Sequence, residues 1–139
     1  GRDCALSTAG RMRRMKKTDY MVRPGELPTY SPEAHAGTVN RRLISKETVG
    51  ARNIEVVSGE VGLGGMAEAH YHDVAEQAMY LLEGKCQVEV EGESFEMGPG
   101  DMAFFPPGAR HKAVPVGGPI KVLVIYSPPL ADATIAFRT

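Results

Sequence analysis

From residue 39 onward, apolar and polar residues alternate in short runs that are separated by turn residues. The roughly ten-residue spacing of these runs, and the Gly and Pro between them, are typical of an all-β sandwich or barrel. Alternation on both sides of Glu91-Gly92 predicts a β-hairpin that turns at this pair. Nine runs are predicted as strands: Val39–Ser45, Asn53–Val61, Ala69–His72, Gln77–Leu82, Cys86–Val90, Ser94–Met97, Met102–Phe105, Lys112–Val114 and Ile120–Tyr126. We therefore expect an all-β barrel of antiparallel strands.

The last of these runs, Ile120–Tyr126, is apolar on both of its faces. Lys121 is its single charged residue. A strand with two apolar faces needs cover on both sides, and the core of a one-domain barrel covers only one of them. We therefore predict that another copy of the chain covers the second face, in a homodimer.

Length and composition restrict the classes of protein that fit this pattern. The 139 residues suffice for one compact domain, and 16 Gly with 10 Pro disfavour a helix bundle. A formal net charge of −1 disfavours a general nucleic-acid binder, which needs a cationic surface. No segment reaches the ~20 apolar residues of a membrane span, and no secretory signal is evident. From the net charge and the lack of a membrane span, we expect no nucleic-acid or membrane partners. With only 2 Cys, which are too few for a disulfide framework, we expect a cytoplasmic protein.

Charge and turn residues divide the chain into three segments. Residues 1–23 contain seven Lys or Arg against two Asp, and this basic leader is expected to be disordered. Residues 24–38 are rich in Pro and Gly and are expected to form an extended N-terminal arm, in which His35 is an exposed loop residue. Residues 39–139 are expected to form the barrel.

Three of the 4 His lie in two short segments. His70 and His72 are two residues apart on a predicted strand, so their side chains point to the same face. His111 follows a later turn. Imidazole is a good ligand for Fe, Ni, Cu and Zn, and two parallel imidazoles supply half of a first ligand shell. A third His and one oxygen ligand from neighbouring strands would complete a mononuclear metal site.

These segments resemble the two sequence motifs of the cupin superfamily. The first motif reads G-x5-H-x-H-x3,4-E-x6-G, and the second reads G-x5-P-x-G-x2-H-x3-N. The matching positions are Gly64, His70, His72 and Gly84 in the first motif, and Gly100, Pro106, Gly108 and His111 in the second. The resemblance implies a small, single-domain cupin barrel, also described as a jelly roll or double-stranded β-helix. It also implies one divalent transition metal per chain, held by the three His and an oxygen ligand.

Two positions depart from the motifs. Pro115 stands at the closing Asn position, which affects a turn more than a ligand. At the carboxylate position, Gln77 satisfies the spacings on both sides, whereas Glu76 leaves one residue too many before Gly84. Adjacent strand residues face opposite sides, so only one of the two can point inward. We favour Gln77 as the fourth metal ligand and keep Glu76 as the alternative, because some cupins are similar in using Gln.

The choice of fourth ligand changes the chemistry expected of the site. Three neutral His and a neutral Gln leave the full +2 charge of the metal uncompensated, which favours an anionic, bidentate substrate and strong polarisation of a carbonyl. Glu76 would instead lower the charge to +1 and stabilise a higher oxidation state. Octahedral Fe, Mn, Ni or Co would keep two positions open for substrate, whereas Zn with four protein ligands is closed and disfavoured for catalysis.

The resemblance implies a metal-dependent enzyme that acts on a small oxygenated or aromatic molecule. A dioxygenase-type oxidoreductase is the first hypothesis. An isomerase or lyase that uses the metal as a Lewis acid is the alternative, as is a cupin that binds a metal or metabolite without turnover.

Several other residues have weaker claims to the site. Glu68 could act near the metal as an acid or base, but we expect a solvated carboxylate. Tyr126 could line the cavity. Arg41 or Arg42 could point inward to clamp an anion, although we expect both Arg side chains to be solvated. Four apolar residues are expected in the cavity wall or core: Met79, Leu81, Phe104 and Phe105.

Overall fold

Antiparallel β-strands dominate the structure, a computed structural model that describes residues 20–31, 35–67, 69–130 and 135–137. For residues 35–36, 63–67 and 135–137 the description covers the backbone only. The strands form two five-stranded sheets, in the orders β1-β2-β9-β4-β7 and β10-β3-β8-β5-β6. We call them sheet A and sheet B. The strands are β1 (His35–Ile44), β2 (Glu55–Ala67), β3 (His70–His72), β4 (Glu76–Glu83), β5 (Cys86–Val90), β6 (Glu93–Met97), β7 (Met102–Phe105), β8 (His111–Pro115), β9 (Ile120–Ser127) and β10 (Ile135–Phe137). The predicted all-β barrel class is confirmed.

Nine of these strands overlap the nine predicted runs, although β2 continues to Ala67, beyond the predicted end at Val61. The first strand starts earlier than expected, at His35, whose backbone pairs with Ala67 of β2. The prediction that His35 lies in a loop is therefore wrong, because pairing across the sheet extends the strand into the Gly-containing segment. Strand β10 was not predicted, because three residues are too few to show an alternating pattern.

A short helix α1 (Lys46–Val49) was also not predicted from the alternation. Ser45 caps it, since its side chain accepts a hydrogen bond from the Thr48 backbone N–H and the Thr48 side chain bonds back to the Ser45 N–H. Gly50 ends the helix with φ 76°, a left-handed conformation that favours glycine. The helix is the connection between β1 and β2. None of the helices in the described ranges is long and apolar enough to cross a membrane.

The β5–β6 hairpin turns at Glu91-Gly92, as predicted. Both residues have positive φ, 47° and 85°, which is the requirement of a type I′ turn. Val90 and Glu93 pair on either side of it. The turn sets the register that buries Cys86 and Val88 while Gln87 faces solvent.

The hydrophobic core lies between the two sheets and is built from the inward-facing residues of five strands. Sheet A contributes Leu81 and Phe105, and sheet B contributes Val88 and Met97, each 2% exposed or less. Alternation along each strand places these side chains on one face. Phe104 is 54% exposed, so the expectation that it belongs to the cavity wall or core is wrong.

The N-terminal arm runs beside the edge strand β1. Pro24–Glu26 forms one turn of 3₁₀ helix, and the Tyr30 backbone exchanges two hydrogen bonds with Asn40 of β1, at 2.9 and 2.7 Å. This short antiparallel bridge places Tyr30 beside the cavity that is described below, which it lines.

Candidate metal centre

Strand geometry brings His70, His72 and His111 together. His70 and His72 lie on β3 and face inward, with exposures of 5% and 3%. Strand β3 pairs with β8, and His70 is directly opposite His111 in that register. The three imidazoles therefore converge on one point at the inner face of sheet B. The resulting group could hold a metal ion.

The distances between the rings fit a common centre. The candidate ligand atoms of the three His all lie within 4.8 Å of one another. The ring centroids of His70 and His111 are 4.4 Å apart, and those of His70 and His72 are 5.0 Å apart. All three side chains are buried. Among the described residues, no other group of three or more His, Cys, Asp or Glu side chains brings its ligand atoms this close together.

Gln77 approaches the same point from the opposite sheet. It lies on β4 of sheet A with 7% exposure, and its Oε1 is 3.0 Å from Nε2 of His72. Because a carbonyl oxygen only accepts, the His72 Nε2–H donates this hydrogen bond. Its neighbour Glu76 points the other way and is exposed. The structure thus places the Gln77 side chain, and not that of Glu76, beside the histidines.

Three contacts fix the orientation of two of the imidazoles, those of His72 and His111. Nδ1 of His111 donates a hydrogen bond to the carbonyl oxygen of Ala109 at 3.0 Å, so the lone pair of the ring is on Nε2. The Phe105 ring stacks on His111 at 4.2 Å with an interplanar angle of 4°. The Tyr126 ring meets His72 edge-on at 5.6 Å. Such neighbours hold imidazole rings in a binding geometry before any metal arrives.

The donor set fits a divalent transition metal. Imidazole nitrogens and an amide oxygen are intermediate to hard ligands that suit Fe, Mn, Co, Ni and Zn. If a metal ion replaces the Nε2 proton and His72 adopts the Nδ1–H tautomer, the 3.0 Å between His72 Nε2 and Gln77 Oε1 is close to the separation of neighbouring ligand atoms bound about 2.1 Å from one ion. The side chains of this site therefore fit the divalent transition metal that the motifs imply.

The candidate ligands lie at one side of a cavity of about 490 Å³ between the sheets. This volume is within the range of pockets that bind drug-sized molecules. Most of the wall is apolar and comes from sheet A, with contributions from Val61, Met79, Phe105, Ile120, Val122 and Val124. Met79 and Phe105 were expected there, and Tyr126 also lines the cavity.

A second group of polar residues adjoins this cavity. Arg42 lines the wall, and its Nε donates to Oε2 of Glu55 at 3.0 Å. Glu55 is buried, and its other oxygen accepts from the Leu130 backbone N–H at 2.9 Å. The guanidinium of Arg42 lies 4.3 Å from the centre of the Tyr30 ring, a cation–π contact. We call these three side chains the Tyr30–Arg42–Glu55 cluster.

Sequence reasoning identified this cluster only in part. Solvation was expected for Arg42, which instead lines the cavity with its side chain half exposed. Tyr30 and Glu55 were not predicted at all. Glu55 shares strand parity with Val57 and Val61, a signal that could have marked it as inward-facing. Glu68 lies outside the described residues.

Burial keeps the nearby phenols and the thiol protonated. It raises the pKa of Tyr126 far above the ordinary value of a phenol, and the negative charge of Glu55 raises it further. Burial also raises the pKa of Tyr30, against the lowering effects of Arg42 and of a hydrogen bond with the Asn40 side chain. The pKa of Cys86, a buried residue of the hydrophobic core, rises to about 11, again through burial.

Known proteins resemble this chain in sequence. The sequence model of the cupin domain family matches residues 57–126. Polyketide synthase CurC from Streptomyces cyaneus is 31% identical over 111 residues, which are 76% of this chain and 69% of that protein.

Solved structures share the fold. The polyketide cyclase RemF from Streptomyces resistomycificus superposes with a TM-score of 0.72 at 24% identity, over 91% of this chain and 88% of that one. KdgF from Halomonas sp. superposes with a TM-score of 0.70 at 22% identity, over 81% of this chain and 97% of that one. The two motifs, the paired sheets and the family match lead to one conclusion: the chain belongs to the cupin domain family.

Proposed function

We propose that this protein is a metal-dependent cupin enzyme that performs isomerase- or lyase-type chemistry on a small, polyoxygenated, mainly apolar molecule. His70, His72, His111 and Gln77 would hold one divalent transition metal. The observation that carries the proposal is the neutral donor set, in which Gln77 takes the position where the motif has a carboxylate. A metal bound there would act as a Lewis acid on a carbonyl oxygen of the substrate.

The charges around the site favour non-redox chemistry. None of the described residues that line the cavity is Asp or Glu. With no anionic ligand, the donor set gives little stabilisation to a higher metal oxidation state but binds an enolate or hydroxy-ketone well. The Tyr126 hydroxyl, which burial keeps protonated, can donate a hydrogen bond inside the cavity without becoming charged. These residues bind and orient an oxygenated group.

The cavity wall indicates the rest of the substrate. Its apolar side chains exclude water and suit a flat hydrocarbon framework, because burial of apolar surface favours binding. A volume of about 490 Å³ is far larger than a two-carbon acid requires. Two of the related proteins carry polyketide in their names, one of them a polyketide cyclase. We therefore propose aromatic or polyketone compounds with adjacent oxygen atoms as the substrate class.

Product mass and oxygen uptake test the reaction class. Protein loaded separately with Fe, Mn, Co or Ni is incubated with aromatic hydroxy-ketones and polyketones, with and without O₂. We expect products of unchanged mass, or products that have lost water or CO₂, to form equally fast in both conditions. Mass spectrometry and an oxygen electrode provide the readouts.

A dioxygenase is the second candidate, because the same imidazole-rich group also suits Fe(II). Oxygen uptake with products that gain two oxygen atoms would establish that reaction and contradict the isomerase or lyase proposal. Binding of these compounds without turnover in any metal form would instead favour a non-catalytic cupin.

We further propose that the protein forms a homodimer through the outer face of sheet A. The outward residues of this face stand in two rows across four strands. One row is Val56, Ile125, Ala78 and Phe104, and the other is Ser58, Leu123, Tyr80 and Met102. Met102 and Phe104 are 56% and 54% exposed, and a contiguous apolar surface of this kind is typical of an interface.

We also propose that the protein is located in the cytoplasm.

A charge in this face tests the homodimer. We expect the wild-type protein to be a dimer at micromolar concentration in light scattering, and Phe104→Glu to raise the dissociation constant at least about tenfold, because a carboxylate would be desolvated. Phe95→Glu is the matched control, since Phe95 is 40% exposed on β6 of sheet B. A wild-type monomer across this concentration range, or equal effects of both variants, would contradict the proposal.

A further inference from the structure

The Tyr30–Arg42–Glu55 cluster offers hydrogen-bond donors to the cavity. Arg42 uses its Nε for Glu55, whereas its two Nη groups make no hydrogen bond within the described part of the chain. Arg42 and Tyr30 both line the cavity, and Glu55 lies behind Arg42, outside the lining. A bound molecule would therefore meet guanidinium N–H groups and a phenol hydroxyl that already hydrogen-bonds with the Asn40 side chain.

Strand register gives the distance of this cluster from the candidate metal centre. Gln77 of β4 is paired with Tyr126 of β9, and Tyr126 is paired in turn with Glu55 of β2. All three side chains face the interior. Neighbouring strands are about 4.8 Å apart, so the cluster begins about 10 Å from Gln77 along the sheet. A molecule with two joined rings spans such a distance.

The charge of the cluster is already balanced. Glu55 is 5% exposed and is held by Arg42 and by the Leu130 backbone N–H, so it stays in place as the counter-ion of the guanidinium. Burial raises the pKa of Tyr30, which keeps this phenol neutral. A ligand carboxylate beside Arg42 would be repelled by Glu55, whereas a carbonyl or hydroxyl oxygen would accept the free N–H groups without that repulsion.

We infer that the Tyr30–Arg42–Glu55 cluster is a second binding subsite, which accepts a neutral carbonyl or hydroxyl oxygen at the end of the substrate remote from the candidate metal centre. The inference rests on the proposed function, because it assigns the other end of the same substrate. Tyr30 belongs to the N-terminal arm, so the arm supplies part of the specificity. Glu55 acts as the residue that excludes an acid at this end.

Three probes with one metal-binding head test the subsite. They are 3-hydroxyflavone, its 4′-hydroxy derivative and its 4′-carboxy derivative, titrated by calorimetry into nickel-loaded full-length protein under nitrogen. We expect the 4′-hydroxyl to tighten binding about tenfold relative to the parent compound, as expected for a hydrogen bond to a charged group. The 4′-carboxylate should bring no gain.

Two conservative variants separate the subsite from general effects. Glu55→Gln keeps an acceptor for Leu130 but removes the negative charge, so the 4′-carboxylate should gain about tenfold in affinity. Tyr30→Phe keeps the ring over Arg42 but removes its hydroxyl, so it should remove part of the 4′-hydroxyl advantage, measured as the ratio of the affinities of the 4′-hydroxy and parent probes. A missing hydroxyl advantage in the wild type, or an unchanged probe order in both variants, would overturn the subsite.

A nickel-free titration separates this inference from the proposed function. We expect binding of the parent probe to require nickel. Equal binding without nickel would contradict the metal-dependent function, while the comparison of hydroxyl and carboxylate probes would still decide the subsite. Absence of binding by all three probes, with nickel present, would contradict both.

Discussion

The His72→Ala variant is expected to lose most of its bound metal. His72 is 3% exposed, its Nε2 is 3.0 Å from Gln77 Oε1, and its removal would leave three of the four proposed ligands. Loss of partners that only orient ligands already weakens metal binding ten- to a hundredfold, so loss of a ligand should cost at least about a hundredfold. Elemental analysis of the purified protein should fall from about one metal per chain to a trace.

A second readout removes the risk that the variant merely folds less well. A ligand that binds only the folded state stabilises it, by about 4 kcal/mol at a thousand times its dissociation constant. Chelation should therefore lower the melting temperature of the wild type but leave that of His72→Ala unchanged. His35→Ala, at the histidine outside the group, should behave like the wild type. Retention of one metal per chain by folded His72→Ala would contradict the proposed centre.

The Gln77→Ala and Glu76→Ala variants are expected to differ sharply in metal affinity. Gln77 is 7% exposed and faces the histidines, whereas Glu76 is exposed on the opposite face of β4. Because a neutral amide oxygen binds a transition metal more weakly than an imidazole does, we expect Gln77→Ala to cost less than His72→Ala, about ten- to a hundredfold in metal affinity, and Glu76→Ala to change it less than about twofold. Competition with a chelator of known affinity measures both.

This pair of variants also tests the charge argument for the reaction class. The opposite order of effects would move the fourth ligand to Glu76 and contradict the neutral donor set on which the Lewis-acid proposal depends. Gln77→Glu adds a refinement, since a carboxylate at this position should tighten binding of the metal but weaken binding of an anionic enolate. Unchanged affinities for both would show that the Gln77 side chain does not contact the metal.

Most of the fold was predictable because its signals are local. Alternation and turn residues located nine strands, and the Glu91-Gly92 pair located the hairpin. The capping box at Ser45 and the left-handed Gly50 are also local, so helix α1 could have been predicted from the residues alone. Strand β10 could not, because three residues acquire strand structure only through pairing with β3.

The candidate site was predictable to different degrees at each residue. Parity alone placed His70 and His72 on one face, and the motif resemblance added His111. Parity also required that only one of Gln77 and Glu76 point inward, but it could not decide which, because both runs of alternation are locally reasonable. Packing of β4 against β7 and β9 decided it, since the other register would bury Glu76 and expose the core residues of β4.

The amino-acid sequence by itself determined the strands, the turns and the two histidines of one strand, since these depend on residues within a few positions of each other. Only the tertiary structure decided that His111 stands opposite His70, that the Gln77 side chain lies beside the histidines, and that Arg42 contacts both Tyr30 and Glu55 at the cavity. Tyr30 and Glu55 are far apart along the chain, and no local pattern encodes their meeting. Their positions follow from strand register and from the burial of one face of each sheet, which are properties of the whole barrel.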